Sequence, residues 1–296
     1  MRTATRSLLP AAFASVLLLT ACGTGTQGSG VPGPGTAGSG SAAPVPGDPS
    51  DLEKDGVRVT GMGGRTRSVG PPVVPVEFAV TNREDRPFTY TVALDVLSAS
   101  GEVLANTKET VPSVPAGRTV RRTVRIDTLR SGAERVRLGK VRRVPSDEAP
   151  AGAHCPPSGF RLTADDGDAA MGLRVVGLHL ENCGTRPRRL DGHPLLELLD
   201  EDRKPVPGVD VLRGGGDIAL VTGFDDPPRP VDLKPGETGF ARLMWRNTTG
   251  AGDPVNVPYV RVRAEPGSRP LTVIPELDLG TTGKLGVSAW TKGSRP

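Results

Sequence analysis

Three histidines and three cysteines are the residues of this 296-residue chain best suited to metal or nucleophile chemistry. His154, Cys155, His179, Cys183 and His193 fall in one stretch. Zinc ligands usually come in close pairs such as C-x-x-C or H-x-x-x-H, and neither spacing occurs here. A nucleophilic triad needs a histidine oriented toward its nucleophile. His154 and His193 lie in turn-like sequence, and His179 alternates with Leu178 and Leu180, which turns it away from the core of a strand. There is no G-x-S-x-G elbow, no H-E-x-x-H and no phosphate-cradling glycine loop before a helix. Asp165, Asp166 and Asp168 offer calcium its preferred oxygens but lack the EF-hand spacing. A turn rich in Asp and Gly accounts for them. Gly214-Gly215-Gly216 reads as a flexible loop tip rather than a ligand cradle. The expectation is a protein that is not an enzyme, with no catalytic residue, no metal site and no cofactor.

Charge carries more information. Arg118 to Arg143 holds ten basic residues against Asp127 and Glu134. In TVRRTVRID, Val120, Val124 and Ile126 alternate with Arg121, Thr123 and Arg125, so one face should meet a core and the other should be basic. Arg118, Arg121, Arg122 and Arg125 form a candidate face for an anionic partner, an envelope protein or an anionic polymer. The competing reading is a solvated strand face with cross-strand ion pairs. Residues 51–145 carry 17 basic against 11 acidic side chains, a net +6, and residues 146–296 carry 18 against 21, a net −3. Nucleic acid is a poor fit, because aromatics for base stacking make up only 3% of the chain.

The N-terminal residues bear on location. Arg2 and Arg6 precede an apolar run from Leu8 to Leu19, too short for a membrane-spanning helix of about 20 residues. A basic start followed by a short apolar run is the layout of an export signal. Leu19-Thr20-Ala21-Cys22 resembles the lipobox of bacterial lipoproteins. That resemblance implies a diacylglyceryl thioether on Cys22, cleavage after residue 21, and an anchor in membrane lipid at the outer face of the cytoplasmic membrane. Two acyl chains hold a protein stably where one binds only marginally. Residues 22–50 are almost wholly small or proline and cannot offset their ordering entropy, so they read as a disordered tether. A flexible chain of about 28 residues spans roughly 30 Å. With Cys22 assigned to lipid, Cys155 and Cys183 remain as an even pair in an exported chain. A disulfide is the favoured reading, ahead of a metal pair or free thiols.

The remaining chain must position these residues. Its 30 prolines and 39 glycines recur between short runs rich in Val, Thr and Leu, the pattern of many short strands. About 245 residues suit two sandwich-sized domains. The expected fold is all-β, two Ig-like antiparallel β-sandwiches over residues 51–145 and 146–296. The break falls near Pro145–Ala153. Asn82 and Arg86-Pro87 match Asn182 and Arg186-Pro187, and each half has a proline–glycine turn feeding a strand, at Pro115–Gly117 and Pro235–Gly236. The second half is longer through Gly208–Pro230, expected to be a loop or an added edge hairpin. A small-ligand or metal-binding role for that insertion is the alternative function.

Cys155, Asn182-Cys183-Gly184, Gly192-His193-Pro194, Leu233-Lys234-Pro235-Gly236 and Val287-Ser288-Ala289-Trp290 resemble a domain of unknown function found in actinobacterial secreted lipoproteins. Where that family usually has a tyrosine between the glycine and proline, this chain has His193. The resemblance covers about residues 155–292 and implies an Ig-like sandwich with its two cysteines paired. It implies no activity. Residues 51–145 resemble generic bacterial Ig-like modules.

Overall fold

Alternation in the sequence becomes burial in a computed structural model, which describes residues 48–63, 72–128, 132–150 and 155–293. Cys22, the apolar run before it, residues 22–47 of the tether and His154 lie outside the described residues. In the N-terminal half a one-turn helix α1 (Pro49–Leu52) leads into β1 (Glu53–Lys54), β2 (Val57–Met62), β3 (Val73–Thr81), β4 (Phe88–Leu97), β5 (Val103–Val114), β6 (Thr119–Asp127) and β7 (Arg135–Pro145). One sheet runs β1-β2-β3-β6 and the other β5-β4-β7. Val74, Val76, Phe78 and Val80 of β3 face Tyr90, Val92, Leu94 and Val96 of β4, all buried in one core. Each such Val, Leu or Phe side chain contributes roughly 1.5–3 kcal/mol by leaving water.

The C-terminal half follows with β8 (Phe160–Ala164), β9 (Asp168–Ala170), β10 (Leu173–Asn182), β11 (Arg188–Leu190), β12 (Leu195–Leu199), β13 (Asp210–Arg213) and β14 (Val231–Leu233). It continues with β15 (Thr238–Arg246), β16 (Asn256–Val257), β17 (Tyr259–Arg263), β18 (Leu271–Val273), β19 (Leu277–Asp278), β20 (Lys284–Val287) and β21 (Thr291–Lys292). The main sheet runs β13-β20-β15-β10-β8, and β12-β17-β18 faces it across a second core centred on Trp290, Leu178, Leu180, Leu233 and Leu243. The architecture is all-β and sandwich-like. One pairing departs from the antiparallel expectation: β13 runs parallel to β20. The Gly208–Pro230 insertion is therefore not an edge hairpin. Its strand extends the main sheet in a direction only a long connection can reach.

Gly214-Gly215-Gly216 is also not a loose tip. Gly214 and Gly215 are buried, Gly215 N–H donates to Asp225 Oδ1 at 2.6 Å, and a Cβ on Gly215 would strike Met244 and Phe224. Only Gly216 is exposed. The triplet is small because the segment lies flat on the sandwich.

One device occurs in both halves. Asn82 and Asn182 are both fully buried. The Asn82 amide donates to Arg86 O at 2.8 Å and to Val114 O at 2.9 Å, and accepts from the Glu84 N–H at 3.0 Å. The Asn182 amide donates to Arg186 O and Leu233 O, both at 2.9 Å, and accepts from the Gly184 N–H at 3.2 Å. Each side chain closes its own turn and ties it to the residue ahead of the proline–glycine turn. Asn182→Ala in the full chain would leave two buried carbonyls without a donor. A loss of about 3 kcal/mol is expected in chemical denaturation. Asn182→Asp should lose at least as much, since a carboxylate would face those two carbonyls. A loss under about 1 kcal/mol for either would contradict the role.

Candidate functional site

The cysteine assignment resolves first. Cys155 and Cys183 form a disulfide with Cα atoms 5.5 Å apart, tying the lead-in to β8 to the turn after β10. Closing that loop of 28 residues contributes roughly 3.5 kcal/mol in the chain-entropy model. His179 lies on the solvent side of β10, its Nε2 3.3 Å from Asp165 Oδ2 and its ring 5.0 Å from that of Phe240. Asp165 itself closes the turn after β8, accepting from the N–H groups of Gly167 (3.0 Å) and Gly177 (2.8 Å). Gly177 has no room for a Cβ under that carboxylate. Asp165 thus serves the backbone. His193 sits in the turn before β12, and burial, with the nearby Arg213 charge, holds its imidazole below the usual histidine range. Among the described residues no three of His, Cys, Asp and Glu converge to hold a metal ion.

Residues 155–291 match the family model described as a domain of unknown function (DUF4232). The match lies within the second sandwich and covers less than half of the chain. No curated protein matches the chain. In the DUF4232 domain the residues that carried the sequence resemblance are joined to one another. Asn182 reaches Leu233 O, and the Gly236 N–H returns to Asn182 O at 2.7 Å. The Trp290 N–H donates to Gly192 O at 2.9 Å, and its indole N–H to Ala264 O at 3.0 Å. These residues hold the DUF4232 fold together.

The charged residues divide into two groups. One forms a joint between the sandwiches that sequence reasoning missed. Arg142, almost fully buried, grips Glu276 through Nε (2.6 Å) and Nη2 (3.1 Å), and Lys140 adds a bond to the same carboxylate at 2.8 Å. Glu148, from the break between the halves, is buried and accepts from the half-buried Arg261 on β17 and the buried Thr272 on β18. Glu84 receives Arg143 at 3.0 Å and Arg203 at 3.1 Å. Val144, Ala149, Leu199 and Tyr259 make a small apolar cluster beneath these pairs. Partners lie up to 136 residues apart in the chain, so no local pattern announces them. A cleft of about 760 Å³ opens beside the joint over Thr91, Ala93 and Gly139, with Lys108 on one wall and Asp166 on the other.

The second group is the arginine row. Arg118, Arg121, Arg122 and Arg125 are all exposed, and among the described residues none of them pairs with a carboxylate. The expected alternation needs one correction. Arg121 and Arg125 stand on the outer face with Thr123, whereas Arg122 shares the phase of Val120, Val124 and Ile126 and projects from the other side. It stays in water because β6 is the last strand of its sheet.

The joint has a pH signature. Burial raises the Glu276 carboxyl, but the bonds from Arg142 and Lys140 and their charges outweigh it and hold the carboxyl below the ordinary glutamate range. Glu84 is lowered in the same way by Arg203 and Arg143 against its own burial. Carboxyls depressed in the folded state contribute stability above their unfolded value and lose it as pH falls through the folded one. The joint should therefore weaken below about pH 4. Arg142→Ala, which leaves Glu276 short of its main partner, is expected to cost about 3 kcal/mol in denaturation at neutral pH. Arg58→Ala at the exposed Glu53 pair should cost under about 1 kcal/mol. Equal losses would contradict the role of the joint.

Proposed function

We propose that this protein is a lipid-anchored extracytoplasmic lipoprotein, acting as a non-catalytic binding or scaffolding module of the cell envelope that engages a negatively charged partner through β6. The observation that carries the reading is the arginine row. Elsewhere in the same chain Arg58, Arg137, Arg142, Arg143, Arg161 and Arg261 hold carboxylates, while among the described residues Arg118, just ahead of β6, and Arg121, Arg122 and Arg125 on it do not. Unneutralised charges on one strand repel each other, and an anionic partner relieves that repulsion. Each cation held near an anionic surface is worth about 1 kcal/mol.

The address rests on Leu19-Thr20-Ala21-Cys22 and the basic, then apolar, residues before it. The Cys155–Cys183 disulfide suits an oxidising compartment outside the cytoplasm. A small-solute role for Gly208–Pro230 has less to carry it. There β13 extends a sheet, Gly215 packs on Met244, and Phe224 is buried beneath Arg242.

Crosslinking of the full-length protein in intact cells, read by mass spectrometry, tests the reading. The control carries glutamine at Arg118, Arg121, Arg122 and Arg125. A dominant partner captured by the native chain and lost from the control is expected. The same capture by both proteins, or none by either, would overturn the role of β6.

A further inference from the structure

The two sandwiches treat one strand position differently. β6 and β15 each follow a proline–glycine turn and each lie beside the strand that leads to a buried asparagine, Asn82 just after β3 and Asn182 at the end of β10. Asn82 N–H donates to Arg118 O at 3.0 Å, and Thr128 N–H to Pro72 O at 2.9 Å. Asn182 N–H donates to Glu237 O at 2.9 Å, and Asn247 N–H to Gly172 O at 3.0 Å. These bonds set the phase of each ladder, because alternate residues of an antiparallel strand bond to one neighbour and the rest point away. On β6 the outward backbone belongs to Thr119, Arg121, Thr123, Arg125 and Asp127. On β15 it belongs to Thr238, Phe240, Arg242, Met244 and Arg246.

On β15 that edge is covered. Gly293 N–H donates to Thr238 O at 2.8 Å, Ser288 N–H to Arg242 O at 3.0 Å, and Arg242 N–H to Ser288 Oγ at 2.9 Å. β20 and β21 pair antiparallel along it. On β6 no described strand covers the edge. Among the described residues the one hydrogen bond to its outward backbone groups runs from the exposed Arg122 Nη1 to Arg121 O at 3.1 Å. The β3–β6 register continues without a bulge from Thr119 to Asp127, and β6 contains no proline. Such an edge is a template for another strand.

The side chains limit what can fill it. A second copy of β6 would set arginines against arginines, and like charges placed opposite destabilise a sheet. Residues 23–47 of the chain carry no acidic side chain to match it. We propose that the open edge of β6 is completed by an extended acidic segment of a partner protein, added as an antiparallel strand in the way residues 282–293 complete β15. The proposal rests on the reading of β6 as the binding face and narrows the partner to a polypeptide. Main-chain bonds to Arg121, Thr123 and Arg125 supply affinity, and acidic side chains beside Arg121, Arg125 and Arg122 supply selectivity. The Arg122 guanidinium leaves Arg121 O for a carboxylate, an exchange between exposed groups.

The test titrates three probes into the full chain: a peptide of alternating glutamate and threonine about as long as β6, the same peptide with its backbone amides N-methylated, and inorganic polyphosphate. The parent peptide is expected to bind at least about tenfold more tightly than the N-methylated one, a difference of about 1.4 kcal/mol. Thr123→Pro removes one outward N–H and leaves the bonds to β3 intact. It should weaken the parent peptide while circular dichroism and melting stay native. Equal binding of the two peptides, or tighter binding of polyphosphate than of the parent peptide, would overturn strand addition and leave β6 as an anion-binding face. Binding of none of the three would overturn the anion-binding face as well.

Discussion

An asparagine amide sealed from water must find partners for two N–H donors and its oxygen, because an unmet buried polar group costs about 1–3 kcal/mol. Asn82 and Asn182 meet that demand in the same way, with the carbonyl four residues on and the carbonyl before the proline–glycine turn. The register of the strand entering each sandwich and the point at which β6 and β15 begin both follow from it. The backbone N–H of Asn82, bonded to Arg118 O, sets the phase of β6, so that Arg121, Thr123 and Arg125 turn their backbone outward.

With phase fixed, the sandwiches differ in how they finish their sheets. The DUF4232 domain has length to spare: the Gly208–Pro230 insertion supplies β13, and the chain after Leu279 returns along β15. The first sandwich ends at β7 and passes straight into the joint, where Glu148 and Ala149 are buried. Nothing in its described residues is left to cover β6. Arginines keep that edge from pairing with copies of itself, and their charge sets which strands can approach.

The repeated asparagines, the alternating core positions and the disulfide pair were legible in the sequence because each is a local pattern. Tyr90, Val92, Leu94 and Val96 alternate with more exposed neighbours and are all buried. The parallel β13–β20 pairing was not legible, since a strand of four residues carries no sign of its direction. Glycine in Gly214-Gly215-Gly216 signals freedom or tight packing equally well, and only Met244 and Phe224 show which applies. The joint was hidden for a further reason. Arg142 and Glu148 resemble any surface charges in sequence, and their partners Glu276 and Arg261 lie more than a hundred residues away. Arg122 was misplaced because four arginines within eight residues read as one face, whereas a strand has two.

Amide hydrogen exchange across β6 and β15 in the full chain tests the central claim most directly. The account expects alternation on β6, with the Arg122 and Val124 amides protected by β3 and those of Arg121, Thr123 and Arg125 exchanging quickly. On β15 the amide of Arg242, held by Ser288, should be protected along with that of its β10-facing neighbour Leu243. Uniform protection along β6 would mean that its edge is already covered, and the account of an open strand would fail.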